Sequence, residues 1–438
     1  MPIALPLVGF AMFGVVVALL LKGKTTPVVA LTLVPALAAL VLGHSPLEIN
    51  EFIKTGVAAS ANTAILLFFA IVFFGVMADV GVFDVVVGRL IRRAGNNVVK
   101  ITIAAAFIPI MALDSATATS VLITVPAMLP VFRRAGIRPQ VLLCLTASGM
   151  GVINLVPWSG AMARVATVLE KDAADLWHML LPVQIASAFL VLGLGAFLGF
   201  VEKRRIAAEG GAAPVPETAV EAERQFAACD HRRSPKLLRF NIALTAGVIA
   251  LMAANVMTGF VVFMLAACVA LAVNFDSLKK QDKRIKAHAP AAFLIGATML
   301  SAGSMVAILN GTGMLEAMAK TLISVIPEAL GSHIHVLFGL VSVPLGLVVG
   351  TDAYFYGIVP LVVEVASRYG IAPLDTGLAM LVGKNFGVML SPLVPATYLA
   401  IGLADVELKE HIRFSFKYLM AMSLLILSLS FAMGVIAW

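Results

Sequence analysis

Charge is scarce in this chain: only 13% of its 438 residues are Asp, Glu, Lys or Arg, about half the share usual for a water-soluble domain. Cysteine is scarcer still. Cys144, Cys229 and Cys268 are odd in number and form no C-x-x-C pair, so neither a disulfide framework nor a zinc site is expected, and they read as small apolar fillers or loop thiols. H-E-x-x-H and G-x-S-x-G are both absent, which lowers the expectation of a membrane enzyme. Gly383-Lys384-Asn385 is not a phosphate-binding loop, because the preceding Gly377 is one residue too distant and Asn stands where Ser or Thr is needed.

What is abundant is apolar. Hydrophobic residues make up 61% of the chain and the mean hydropathy is +1.02, the mark of a polytopic, all-α membrane protein. Residues 2–21 are too long for a signal-peptide core and are expected to remain as a membrane helix. Further spans are expected near 27–43, 57–78, 139–163 and 180–200. In the second half they fall near 240–255, 258–275, 290–309, 374–402 and 416–436. Two stretches, 98–132 and 333–366, are too long for one crossing and too short for two with a loop, so they read as re-entrant hairpins.

With each hairpin entering and leaving on one side, each half crosses the membrane an odd number of times, and the halves are inverted. The net charge of +7 is then a topology signal rather than a nucleic-acid surface. An N-out, C-out orientation gathers the basic residues of 22–24, 89–100, 133–138, 202–239, 279–286 and 409–417 inside. It leaves only Lys54, Arg164, Lys171, Lys320 and Arg368 outside, with Lys384 inside a span. Residues 202–239 read as a cytoplasmic linker between a first repeat, 1–201, and a second, 240–438.

The repeat is visible directly. Thr124-Val125-Pro126 and Arg134-Ala135-Gly136-Ile137-Arg138-Pro139 recur as Ile358-Val359-Pro360 and Arg368-Tyr369-Gly370-Ile371-Ala372-Pro373 at one offset of 234 residues. Leu155-Val156-Pro157 recurs as Leu390-Ser391-Pro392 one residue further on. Paired hairpins followed by paired proline-broken helices are the pattern of an inverted-repeat secondary transporter.

Backbone that leaves the helix at membrane depth carries unpaired amides and carbonyls, tolerable only against protein or a wet cavity. The tips, with Asp114, Ser115 and Thr117 in the first and Thr351 and Asp352 in the second, are therefore candidate binding positions, as are Asn154, Ser159, Lys384, Asn385, Ser391 and Thr397 at the breaks. Helix N-termini there attract carboxylates without a full cation. Ionised groups in this setting cost about 2.5–3.5 kcal/mol each, which singles out Lys384, Asp114 and Asp352. Lys384 reads equally as an attractor of anions and as one half of a structural ion pair. Asp114 and Asp352 are candidate carriers of coupling protons or tip caps. His333 and His335 read as a solvated helix start rather than a metal site.

The stretches Gly350-Thr351-Asp352-Ala353-Tyr354-Phe355-Tyr356-Gly357-Ile358-Val359-Pro360 and Ser391-Pro392-Leu393-Val394-Pro395-Ala396-Thr397-Tyr398-Leu399 resemble the citrate-metal:proton symporter family of the ion transporter superfamily. The resemblance implies a homodimer in the bacterial inner membrane, with a scaffold and a transport unit, residues 98–163 and 333–402, that moves as an elevator. It implies import of citrate complexed with a divalent cation such as Mg²⁺ or Ca²⁺, in symport with protons, and no resident cofactor. Related divalent anion:sodium symporters carry Ser-Asn-Thr at both tips. Here Ser115-Ala116-Thr117 and Thr351-Asp352-Ala353 lack both asparagines, which argues against sodium sites. A sodium- or proton-coupled carrier of another di- or tricarboxylate without metal is the alternative.

Overall fold

The computed structural model describes residues 4–22, 25–113, 117–209, 234–324 and 327–438, and every regular element among them is helical. In the first half α1 (Ala4–Leu21) and α2 (Pro27–Val41) lead into α3 (Pro46–Asp79). A capping box starts α3: the Ser45 hydroxyl accepts from the Glu48 amide, and Glu48 Oε2 accepts from the Ser45 amide at 2.7 Å. The amphipathic α4 (Val82–Ala94) follows a left-handed Gly81. The pair α5 (Val98–Met111) and α6 (Thr117–Arg134) precedes α7 (Pro139–Ile153), α8 (Gly160–Leu169) and the long α9 (Ala173–Ala208).

The second half repeats the order with α10 (Pro235–Ala253), α11 (Gly259–Asn274), α12 (Leu278–Gly311), α13 (Met314–Ile323), the single turn α14 (Glu328–Gly331) and α15 (Ile334–Val349). A π-helical turn over Ala353–Ile358 runs into α16 (Val359–Arg368). Then come α17 (Pro373–Asn385), a 3₁₀ turn at Val388–Leu390, α18 (Pro395–Ala404) and α19 (Leu408–Ala432). The halves match closely: α3 and α12 have 34 residues each, and Gly81 before α4 is mirrored by the left-handed Gly313 before α13.

At about 1.5 Å per residue α3 and α12 are about 51 Å long, well over the ~30 Å hydrocarbon core, whereas α5 and α15 reach only about 21–24 Å, short of a full crossing, and each is followed at once by a second helix packed beside it. The two expected hairpins are thus α5–α6 and α15–α16, and the broken helices are α7–α8 and α17–α18.

One boundary, two helices and one histidine differ from the sequence reading. The linker expected over 202–239 is shorter, because α9 stays helical through Ala208 and α10 starts at Pro235. The amphipathic α4 and α13 had no counterpart among the expected spans, since a filter for continuous apolar runs passes over a helix with one polar face. His335 is buried rather than solvated, its Nε2 3.0 Å from the Ala437 carbonyl, while His333 is exposed as expected.

Two packed bodies emerge. In one, α3 and α12 run antiparallel with α2 and α11 against them; in the other, α5 packs on α7 and α9, α15 on α17, and α7 on α19. Along the first contact Phe52 faces Gly311, Gly56 faces Gly303, Phe68 faces Gly296 and Gly75 faces His288. Small residues let the backbones approach, as membrane helices require when lipid is as apolar as any side chain. A methyl added at Gly56 would lie 2.2 Å from the Gly303 carbonyl oxygen, a backbone atom that cannot step aside. Gly56→Ala is therefore expected to destabilise by about 1–3 kcal/mol, read as a lower melting temperature in detergent. An unchanged melt would show that the two helices can separate freely.

Candidate functional site

The two broken helices meet at corresponding positions. Asn385 Nδ2 donates to the Gly151 carbonyl at 2.8 Å, and these residues are 234 apart, the offset of the sequence repeat. The pseudo-two-fold relation between the halves passes through this contact. Glycine is required at 151 because a β-carbon there would sit 2.5 Å from the ring of Phe386, itself buried.

Beside this crossing lies a cleft of about 560 Å³. Its wall takes Asn154, Gly160 and Arg164 from the first break, Gly350, Thr351 and Asp352 from the second tip, and Val394 and Pro395 from the second break. Gly350 adopts φ +78°, a conformation that ends α15 and turns the chain toward Thr351. The first tip is anchored at Leu113, φ +49°, whose carbonyl accepts from Trp158 Nε1 at 3.0 Å. Asp114 and Ser115 lie outside the described residues, as does the side chain of Thr117, whose backbone opens α6.

Of the remaining candidates the structure brings Asn154, Thr351 and Asp352 to the cleft wall. Lys384 stands one contact behind, its Nζ 3.3 Å from Thr351 Oγ1 and 4.9 and 5.3 Å from the ring centroids of Phe355 and Tyr354. Its stem fills the space that Gly346 leaves open. No carboxylate among the described residues is within ion-pair distance of Lys384, so of its two readings the aspartate pair is not formed with Asp352. Asp352 is bonded to Arg164, with Nη2 2.7 Å and Nε 2.9 Å from Oδ1, while Arg164 Nη1 donates to the Gly160 carbonyl at 2.7 Å.

The other candidates shape the breaks. Ser159 caps α8 by accepting from the Met162 amide at 3.1 Å and donates to the Asn154 carbonyl. Ser391 accepts from the Leu393 amide at 3.2 Å, and Thr397 donates to the Met389 carbonyl at 3.2 Å. Asn154 Nδ2 and Asn385 Oδ1 are buried with no hydrogen-bond partner among the described residues. An unpaired buried polar atom costs about 1–3 kcal/mol, and of these two residues Asn154 lines the cleft.

Arg164 was missed by the sequence reading, which ended the broken helix at 163 and placed this residue in an external loop. The structure corrects this: α8 continues to Leu169 and Arg164 faces the cleft one turn after Gly160. The signal was present in the Gly160-x-x-x-Arg164 spacing, which puts the side chain on the face of its own helix start. His411, whose Nε2 lies 3.0 Å from the Met389 carbonyl, also supports the second break and was not anticipated.

These mirrored halves, each with a helical hairpin and a broken helix, and a cleft lined by both breaks and the second tip, define an all-helical, multi-pass membrane fold of two inverted repeats. Two solved structures share that fold. The YdaH transporter of Alcanivorax borkumensis superposes with a TM-score of 0.62 at 16% identity, covering 89% of this chain and 90% of its own. MtrF of Neisseria gonorrhoeae, described within a class of antimetabolite efflux pumps, gives 0.62 at 15% identity over 88% and 83%. At such identities the likeness concerns the fold alone. The family is decided by sequence: the CitMHS citrate transporter model matches residues 15–383, and the chain belongs to that family. It is 34% identical over 434 residues to the Mg(2+)/citrate complex secondary transporter of Bacillus subtilis (strain 168), covering 99% of each chain. A citrate transporter of the same organism is 34% identical over 438 residues, 99% of this chain and all of that one.

Proposed function

We propose that the chain imports citrate as a divalent metal complex in symport with protons, moving the cleft across the membrane by an elevator motion. The observation that carries this reading is the cleft itself, set where the two breaks meet, with Lys384 directly behind its Thr351 wall and within ion-pair distance of no described carboxylate. Chelated by a divalent cation, citrate keeps a residual charge of about minus one, which one lysine and the helix N-termini at the breaks can balance. Among the described residues no three His, Cys, Asp or Glu side chains cluster as a metal site. The reading therefore assigns the metal's oxygen ligands mainly to citrate, and the cation is cargo. The names of the relatives point the same way.

The transport unit in this reading comprises α5–α8 and α15–α18, close to residues 98–163 and 333–402, with α9 and α19 packed on it. The scaffold is the α3–α12 pair with α2, α10 and α11, and a homodimer would form through it. The cleft reaches Thr25 and Pro27 of the α1–α2 loop and Leu294 and Ile295 of α12, just past the basic run 279–286. Thr25 and Pro27 lie just after Lys22 and Lys24, so this wall of the cleft stands toward the basic loops, which the positive-inside rule makes cytoplasmic.

Uptake of labelled citrate into proteoliposomes of the purified protein is expected to need a divalent cation and to accelerate with an inward proton gradient. Uptake undiminished by a chelator would favour a metal-free carboxylate carrier, and uptake driven by sodium alone would overturn the proton coupling.

A further inference from the structure

The Arg164–Asp352 pair joins the two inverted repeats across the cleft, and it is built unevenly. Both guanidinium donors on the cleft side, Nε and Nη2, go to the single oxygen Oδ1, while Nη1 is held by the Gly160 carbonyl. The side chains keep 18% and 25% of their surface, so both are reachable from the cleft. A guanidinium edge with two parallel N–H groups is the geometry that binds a carboxylate in bidentate fashion. Here an internal carboxylate occupies it.

The charged and titratable groups around the pair are few. Tyr356 lies with its ring 6.0 Å from the Arg164 guanidinium, Tyr354 and Lys384 stand behind Thr351, and the α1–α2 loop carries the exposed Lys22 beyond Thr25. From α12 and α18 come only Leu294, Ile295, Pro395 and Ala396. No second described carboxylate faces Arg164, so a proton on Asp352 would leave the guanidinium with no anion except one arriving in the cleft.

Resting on the citrate reading above, we propose that Arg164 is a ligand for a substrate carboxylate, held in reserve by Asp352, and that protonation of Asp352 hands the guanidinium to the substrate. The proton neutralises the Asp352 carboxylate, the ion pair opens, and Nε and Nη2 turn to a citrate carboxylate. Leaving a half-buried arginine without an anion is costly, so proton and substrate each favour the other's binding, by the same factor in both directions. Substrate therefore binds more tightly as pH falls, and on release of the proton Asp352 recaptures Arg164 and expels the substrate.

The test is calorimetric binding of citrate with Mg²⁺ to the full chain in detergent, from about pH 4.5 to about pH 8, the pH dependence being read after correction for the ionisation of citrate itself. Asp352→Asn is expected to bind about tenfold more tightly than the unsubstituted chain at the upper pH and to lose the pH dependence. Arg164→Gln is expected to bind about tenfold or more weakly, and Arg164→Lys to recover only part of the loss. In Arg164→Gln/Asp352→Asn, which strands no carboxylate and should fold if the single arginine variant does not, the tightening by Asp352→Asn should disappear. An Asp352→Asn protein with unaltered affinity and pH profile, or tightening that survives in the double variant, would overturn the exchange and leave the carrier reading standing. Citrate binding equally tight without Mg²⁺ would instead remove the metal-complex reading, and the same variants would then judge the exchange on citrate alone.

Discussion

Lys384→Met should leave a protein that melts at the same or a higher temperature yet takes up citrate about ten- to a hundredfold more slowly. Lys384 is 3% exposed and its ammonium is bonded to one hydroxyl, with two aromatic rings around it. An ionised lysine at membrane depth costs about 2.5–3.5 kcal/mol, and cation–π contacts return about 0.5–2 kcal/mol. Replacing it with an apolar chain of similar length relieves that burden, as replacement of buried charges often does. Transport loses a charge-assisted contact to an anion, about 1.5–3 kcal/mol, which sets the expected decrease. Parallel melting curves and uptake assays decide the matter. A lower melting temperature with normal uptake would make Lys384 a structural residue.

Glu202→Leu is expected to show the opposite pattern, a large stability loss through residues outside the cleft. Glu202 is completely buried, and its two oxygens bind Arg138 through Nε at 2.9 Å and Arg205 through Nη2 at 3.0 Å, with the Arg138 backbone amide at 3.2 Å. Arg205 Nη2 also donates to the Gly136 carbonyl at 2.6 Å. This clamp fixes the turn between the first hairpin and the first broken helix to the end of α9. Removing the carboxylate leaves the Arg138 guanidinium and backbone amide without this acceptor, while Arg205 keeps Glu209 and the Gly136 carbonyl; the loss should be about 3 kcal/mol, lowering the melting temperature by about 3 °C for a chain of this size. Glu202→Asp should recover a fraction. If Glu202→Leu melts normally, the turn is held by Arg205 and Gly136 without it.

Much of this architecture was legible because it rests on local composition. Apolar runs must be helices in lipid, basic loops report their side, and Pro126, Pro139, Pro360 and Pro373 recur with a constant spacing that backbone rules impose wherever the fold is repeated. Asn154, Thr351 and Asp352 stand on the cleft wall for the same reason: polar groups beside helix breaks at membrane depth have few places to go. The readings that changed share a different cause. Glu202 looked like one more acid in a charged linker, and Arg164 like a loop base, because each is defined by partners 64 and 188 residues away.

By itself the chain's order of residues determined the class, the mirrored halves, the interruptions and the kind of side chain found at each, since these follow from what a bilayer tolerates at every point of one polypeptide. Only the folded arrangement decided who faces whom: that Asp352 holds Arg164 rather than Lys384, that Asn385 meets Gly151, and that Glu202 is clamped from two sides. Pairing energies fall steeply with distance, and the separations that matter exist only once the two repeats have been packed together.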